Sequence, residues 1–286
     1  MASASMKWAR LLNNHKDIPQ IFQKSLSQIL DETNTLPSII YAPQDMWRKR
    51  NINDKLLFIY KNLVYSLESV ENSILIACHP FENIIRIEHG KILLYSWIRI
   101  VSVIDNNIVS SIIEYNTVVE SFFKEIMKTI RDSIINTRIK TISSDNRNSF
   151  YSTEDLTCRL QNYTDNCLLP SQKVISAVFQ PAIFENSWFI TKNLLMPNQL
   201  AILTDEEFII YKEEYENADI SKFGGVWTYI PLNQIRDLER IPDTSSNLIQ
   251  LCIRLNGSQK VILLYPLKRG DDVSKLISYI NAQRRK

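Results

Sequence analysis

One pattern occurs twice in this chain: short apolar strands followed by a single amphipathic helix. That internal repeat constrains the fold more than any one motif. Residues 56–69 are two apolar runs about Lys61-Asn62, and they match residues 200–214, two apolar runs about Asp205-Glu206-Glu207. Residues 79–90 match 230–241, with Pro80 over Pro231 and Glu88 over Glu239, and Arg86 over Arg236 if one residue is inserted in the first copy.

Periodicity fills in each copy. Ile18, Phe22, Leu26 and Ile29 or Leu30 predict an amphipathic helix over 18–30. Runs rich in β-branched and aromatic residues predict strands at 39–41, 56–60, 63–67, 74–78, 84–88 and 92–104, with Gly90 in a tight turn before the last. The period then changes. Val118, Phe122, Ile126, Ile130 and Ile134 form one helical row, and Val119, Phe123 and Met127 the next. Lys124, Glu125, Lys128 and Arg131 take the other face, and Thr117 with Glu120 reads as a capping box.

Residues 136–167 shift in composition and read as a linker. Strands follow at 174–179, 187–195, 200–203, 208–211, 226–230, 235–240, 248–255 and 260–265, the last two flanking the hairpin signal Asn256-Gly257. Asp271 and Asp272 open a helix that carries Val273, Leu276, Ile277 and Ile280. The expected division is 1–35, a tag remnant and the first helix; 36–135, a first domain; 136–167, the linker; and 168–286, a second domain.

Composition removes several function classes. Only 5 of 286 residues are glycine, too few for phosphate-cradling loops or dinucleotide fingerprints. The net charge is +2, with 45% hydrophobic residues, which fits a globular protein without a dedicated nucleic-acid surface. No apolar run approaches membrane-spanning length. The four cysteines, Cys78, Cys158, Cys167 and Cys252, read as free thiols in a reducing cytoplasm, with a Cys158–Cys167 disulfide the other option.

Residues 168–180, 200–214, 229–239 and 256–266, followed by a short helix, resemble bacterial pleckstrin-homology-like (GRAM-like) domains. Ser171 and Gln172 stand where those families carry Gly-Glu. The resemblance covers 168–283 well and 36–135 weakly. It implies a mainly β protein with α-helices: two antiparallel β-barrels or orthogonal sandwiches, each capped by a C-terminal amphipathic helix, with an added N-terminal helix.

The chemistry-bearing residues are sparse. His15, His79 and His89 have no metal-ligand spacing, so neither a metal nor a cofactor is expected. Cys78-His79 reads as a buried thiol beside an edge histidine. Asp205-Glu206-Glu207 and Glu213-Glu214 read as a solvated rim. The run Trp47, Arg48, Lys49 and Arg50, with Lys55 nearby, lies where pleckstrin-homology folds hold cations that grip lipid phosphates, although no lysine precedes it on the strand before. Lys268-Arg269 and Arg284-Arg285-Lys286 could extend a basic face. The expectation is a non-enzymatic cytoplasmic interaction or scaffold module that binds a protein partner or itself and no nucleic acid. The alternative is peripheral binding to an anionic membrane through the 47–50 loop, with an enzyme a third option.

Overall fold

In the computed structural model, which describes residues 7–31, 36–47, 50–71, 73–136, 167–186, 192–213 and 224–284, the chain is mainly β-strand, with three α-helices among those residues. It divides into two compact units, Met1–Ile84 with His89–Lys140, and Ile85–Glu88 with Thr141–Lys286. Most of the expected linker, 137–166, lies outside the described residues.

The first unit contains β1 (Arg10–Leu12), α1 (Gln20–Ile29), β2 (Ile39–Ala42), β3 (Asp45–Trp47), β4 (Arg50–Ile52), β5 (Lys55–Tyr60), β6 (Leu63–Val70) and β7 (Ser73–Pro80). After β8 (Ile84–Ile92) come β9 (Tyr95–Ile104), β10 (Asn107–Asn116) and α2 (Glu120–Asn136). One antiparallel sheet runs in the order β1-β2-β5-β6-β7. Its hairpins are tight because the turn residues accept left-handed backbone: Lys61 and Asn62 join β5 to β6 at φ 49° and 63°. Asp105 and Asn106 repeat the device between β9 and β10, at φ 50° and 63°. Of the strand expected over 92–104, Ile92 ends β8, Leu93 and Leu94 make a turn, and Tyr95–Ile104 is the first arm of the hairpin with β10.

Helix α1 lies on β6 and β7 and buries Phe22 and Leu26 among Leu12, Ile18, Ile39, Leu56, Phe58 and Leu67. Spacing of four residues puts Phe22 and Leu26 on one helix face, so the N-terminal helix belongs to this unit's core. Helix α2 buries Phe123, Ile126, Met127, Ile130 and Ile134, as the rows predict, but also Arg131, which the sequence placed on the charged face. Val118 points outward, because Thr117–Val119 is a 3-10 turn preceding the helix.

Two local expectations are corrected. Thr117 does not close a capping box: its hydroxyl donates to the Leu93 carbonyl, and Asn116 accepts the Val118 N–H instead. Gly90 makes no turn but sits within β8. A Cβ there would stand 2.0 Å from the Trp97 ring, so the glycine is needed for the aromatic to lie flat across it. Gly225 does the same for Tyr211 in the second unit, where the clash would be 2.2 Å.

The second unit contains β11 (Val174–Gln180), β12 (Ile183–Asn186), β13 (Lys192–Met196), β14 (Gln199–Thr204), β15 (Glu207–Glu213) and β16 (Gly224–Pro231). Then follow β17 (Ile235–Asp243), β18 (Leu248–Leu255), β19 (Lys260–Pro266) and α3 (Gly270–Arg284). Strands β11, β14, β15 and β16 pair in that order, β17-β18-β19 form a second sheet, and β12-β13 a hairpin. Of the strand expected over 187–195, residues 187–191 lie outside the described residues. The Asn256-Gly257 reversal is a longer loop, Asn256–Ser258, with Gly257 and Ser258 both at positive φ. Val273, Leu276 and Ile280 of α3 pack into a core with Phe208, Ile210, Ile230, Ile249, Leu251 and Leu263.

In chain order the units share their punctuation. Pro80 leads into the 3-10 turn Phe81–Asn83, and Pro231 leads into Leu232–Gln234 with φ −58° and −59° respectively. Three strands, another 3-10 turn and a helix follow each. The fixed proline φ sets the chain direction at both sites.

The expected closed barrels are not found: among the described residues no sheet closes on itself. Side chains bridge where a backbone ladder would have to. Lys55 Nζ donates to the Ile112 carbonyl on β10 at 2.7 Å. In the second unit Lys212 Nζ donates to Ile262 at 3.0 Å and Gln199 Nε2 to Leu264 at 2.8 Å, both on β19. Edge carbonyls are thereby satisfied without strand pairing.

Candidate functional site

The basic run sits on a two-stranded hairpin. β3 and β4 pair with Asp45 opposite Ile52 and Trp47 opposite Arg50. Arg48 and Lys49, between them in sequence, lie outside the described residues. The base of the hairpin is pinned by Asp54, whose carboxylate accepts from the Tyr41 hydroxyl and from the Gln44 N–H. Lys55, expected to join these cations, is buried: its ammonium lies 2.7 Å from Glu114 Oε2 and 3.6 Å from Glu68 Oε1. It therefore serves the interior and not the hairpin surface.

Two histidines share that interior. His79 is fully buried, with Nδ1 2.9 Å from the Ser102 hydroxyl and Nε2 2.8 Å from the Ser111 hydroxyl. Burial lowers its pKa to about 4. His89 lies 2.9 Å from the Tyr115 hydroxyl and 3.7 Å from Glu120. Burial again lowers its pKa to about 4, with Glu120 pulling the other way. For Glu120, burial raises the pKa, but the Lys91 bond and the Lys124 charge outweigh it and hold the carboxyl below its usual range. His79 is thus held by two serine hydroxyls, and His89 by Tyr115 beside Glu120, so each buried imidazole has hydrogen-bond partners.

Cys78 and His79 do not form a nucleophile–base pair. Neighbours on a strand point to opposite faces, and the burial is the reverse of the expectation. The thiol is half-buried and its pKa is raised by desolvation, while the imidazole is wholly inside. The carboxylates of the second unit are corrected too. Glu207 and Glu213 are buried, not on a solvated rim: Gln172 donates to Glu207 at 2.6 Å, and Asn198 to Glu213 at 2.6 Å. Gln172, just before β11, thus holds an acid at the start of β15. Cys252 is a buried free thiol, Cys167 is buried, and Cys158 lies outside the described residues.

The C-terminal cations do structural work. Arg269 bonds Asp272 and the Phe179 carbonyl, and Arg284 donates to the Arg236 carbonyl at 2.8 Å. Arg285 and Lys286 lie outside the described residues.

The feature that sequence reading passed over is the edge strand β7. It ends the five-stranded sheet, and Leu75 and Ile76 are 56% and 47% exposed. No charged residue occurs from Ser73 to Pro80. The signal was present in the text as an uncharged run, but only sheet order reveals it as an edge. Such edges pair with further strands unless they are blunted by charge, proline or shortness. The sheet's other edge, β1, has three residues including Arg10, and the edge strand β17 carries Arg236, Asp237, Glu239, Arg240 and Pro242.

Among the described residues no cluster of three or more His, Cys, Asp or Glu is placed to hold a metal ion, and no helix is long and apolar enough to cross a membrane. In comparisons with known proteins, no family model and no curated sequence matches this chain.

Proposed function

We propose that this chain is a non-enzymatic interaction module built from two pleckstrin-homology-like domains. The observation that carries the reading is the uncharged, solvent-facing edge of β7, a surface suited to main-chain pairing with another strand. The shared order of hairpin, strand, proline, 3-10 turn, three strands and closing helix supports a tandem origin for the two units. A closing amphipathic helix in each unit is what the resemblance to pleckstrin-homology-like domains leads one to look for. His79 and His89 are buried and hydrogen-bonded within the first unit, which fits a structural use of both. The test is affinity capture with the full chain as bait, beside Leu75→Lys. A defined partner held by the wild type and lost from the variant supports the reading. A wild-type chain that captures nothing above background and does not self-associate overturns it.

A second reading is favoured by the β3–β4 hairpin. It carries a tryptophan opposite an arginine, with two further cations between them in sequence, a combination suited to an anionic lipid surface. Co-sedimentation with anionic and neutral vesicles at low and high salt tests it. The wild type should pellet with anionic vesicles at low salt only, and an Arg48→Ala, Lys49→Ala, Arg50→Ala variant should remain in solution. Equal behaviour of the two proteins removes this reading.

A further inference from the structure

We infer that β7 pairs with β7 of a second copy of this chain, antiparallel about a two-fold axis perpendicular to the sheet. This names the partner of the interaction edge and rests on that reading. The argument is one of self-complementarity. A strand that meets its own copy antiparallel must oppose itself at the axis, so any charge near the axis would face its own sign. From Ser73 to Pro80 this strand has none.

Strand alternation fixes what meets what. A two-fold axis of this kind keeps each sheet face on the same side, so a residue opposes itself or a residue of like parity. Centred on Leu75, the register sets Leu75 against its copy on one face and Ile74 against Ile76 on the other. Every opposed pair at the axis is then apolar, and the exposed surface of Leu75 and Ile76 is what becomes buried. The nearest charge along the chain, Glu71, lies in the turn before β7, and Glu68, opposite Leu75 on β6, is held by Lys55 and Asn53. The C-terminal half of β7 turns inward with His79, so the more exposed half, 73–76, is the one that lies at the axis. The product is a continuous ten-stranded sheet.

An isologous contact uses one patch twice, so both copies bury the same pair of side chains with no second surface required. Area limits the strength: one strand pair falls at the small, transient end of the interface range, so the dimer forms reversibly.

The test is sedimentation equilibrium of the full chain from low to high micromolar concentration, with Leu75→Lys, Ile76→Lys and, as a control on an equally exposed turn residue, Leu93→Lys. The wild type and Leu93→Lys should move from 33.4 kDa toward twice that mass, whereas Leu75→Lys and Ile76→Lys stay at 33.4 kDa with unchanged circular dichroism. A wild type that stays monomeric throughout overturns self-pairing. The interaction-module reading then stands or falls on the capture experiment, in which a different protein can occupy the edge. A dimer that persists in both lysine variants also overturns the proposal, because the contact then lies elsewhere.

Discussion

Lys55 on β5 and Glu114 on β10 meet at 2.7 Å with both side chains almost wholly out of solvent. The same ammonium also donates to the Ile112 carbonyl, so one cation neutralises an acid and fastens a strand. Removing one member of a buried pair leaves the other charge uncompensated, at a cost of about 3–5 kcal/mol. Lys55→Met should therefore lower the urea midpoint sharply. Lys55→Met with Glu114→Leu should recover much of the loss, since an apolar pair needs no counter-charge. A double variant no better than the single would mean that the carbonyl tether, and not the ion pair, holds the strand.

Acid should weaken the fold before any carboxylate titrates in water. His79 and His89 have folded-state pKa values of about 4 against 6.5 for the ordinary imidazole. From pH 6.5 down to about 4 the unfolded chain binds protons that the folded chain refuses, so stability is full above 6.5 and falls through that window. Each histidine accounts for at most on the order of 3 kcal/mol. Denaturant midpoints measured from pH 7.5 to 4.5 should decline, and His79→Gln should flatten the decline. A flat wild-type profile would contradict the buried, neutral assignment.

Gly90→Ala should destabilise the first unit by about 1–3 kcal/mol through overpacking against Trp97. Tryptophan fluorescence followed on heating reads the change. Gly90→Ala combined with Trp97→Ala should be milder than the two single losses added, because the clash needs both side chains.

The β9–β10 turn demands left-handed backbone at Asn106. Asn106→Val should cost about 1–2 kcal/mol and Asn106→Gly should be neutral or slightly stabilising. Thermal midpoints separate the two, and equal effects would show that the turn can adopt another geometry.

The parts of the fold written in local periods were legible. Phe22 and Leu26, the α2 rows and the Lys61-Asn62 turn each follow from spacing within a few residues of chain. What lay beyond reach depends on partners distant in sequence. Lys55 reads as a loop cation until Glu114, 59 residues away, is brought beside it. Glu207 reads as a turn residue until Gln172 reaches it across the sheet. Gly90 looks like a turn former until Trp97 is seen lying over it. Leu75 and Ile76 illustrate the same limit at the candidate site, because whether a strand is central or at an edge is a property of sheet order, which no short window records.

The tethers from Lys55, Lys212 and Gln199 have a consequence for how such a scaffold diverges. A ladder fixes neighbouring strands at about 4.8 Å and in strict register, so any insertion must be matched on the facing strand. A flexible stem with a polar head imposes neither spacing nor phase. Each pair of sheets can widen, narrow or slide by the reach of one rotamer while its own hairpins stay intact. A unit held this way can change its loops and sheet offsets while the order of its turns stays the same.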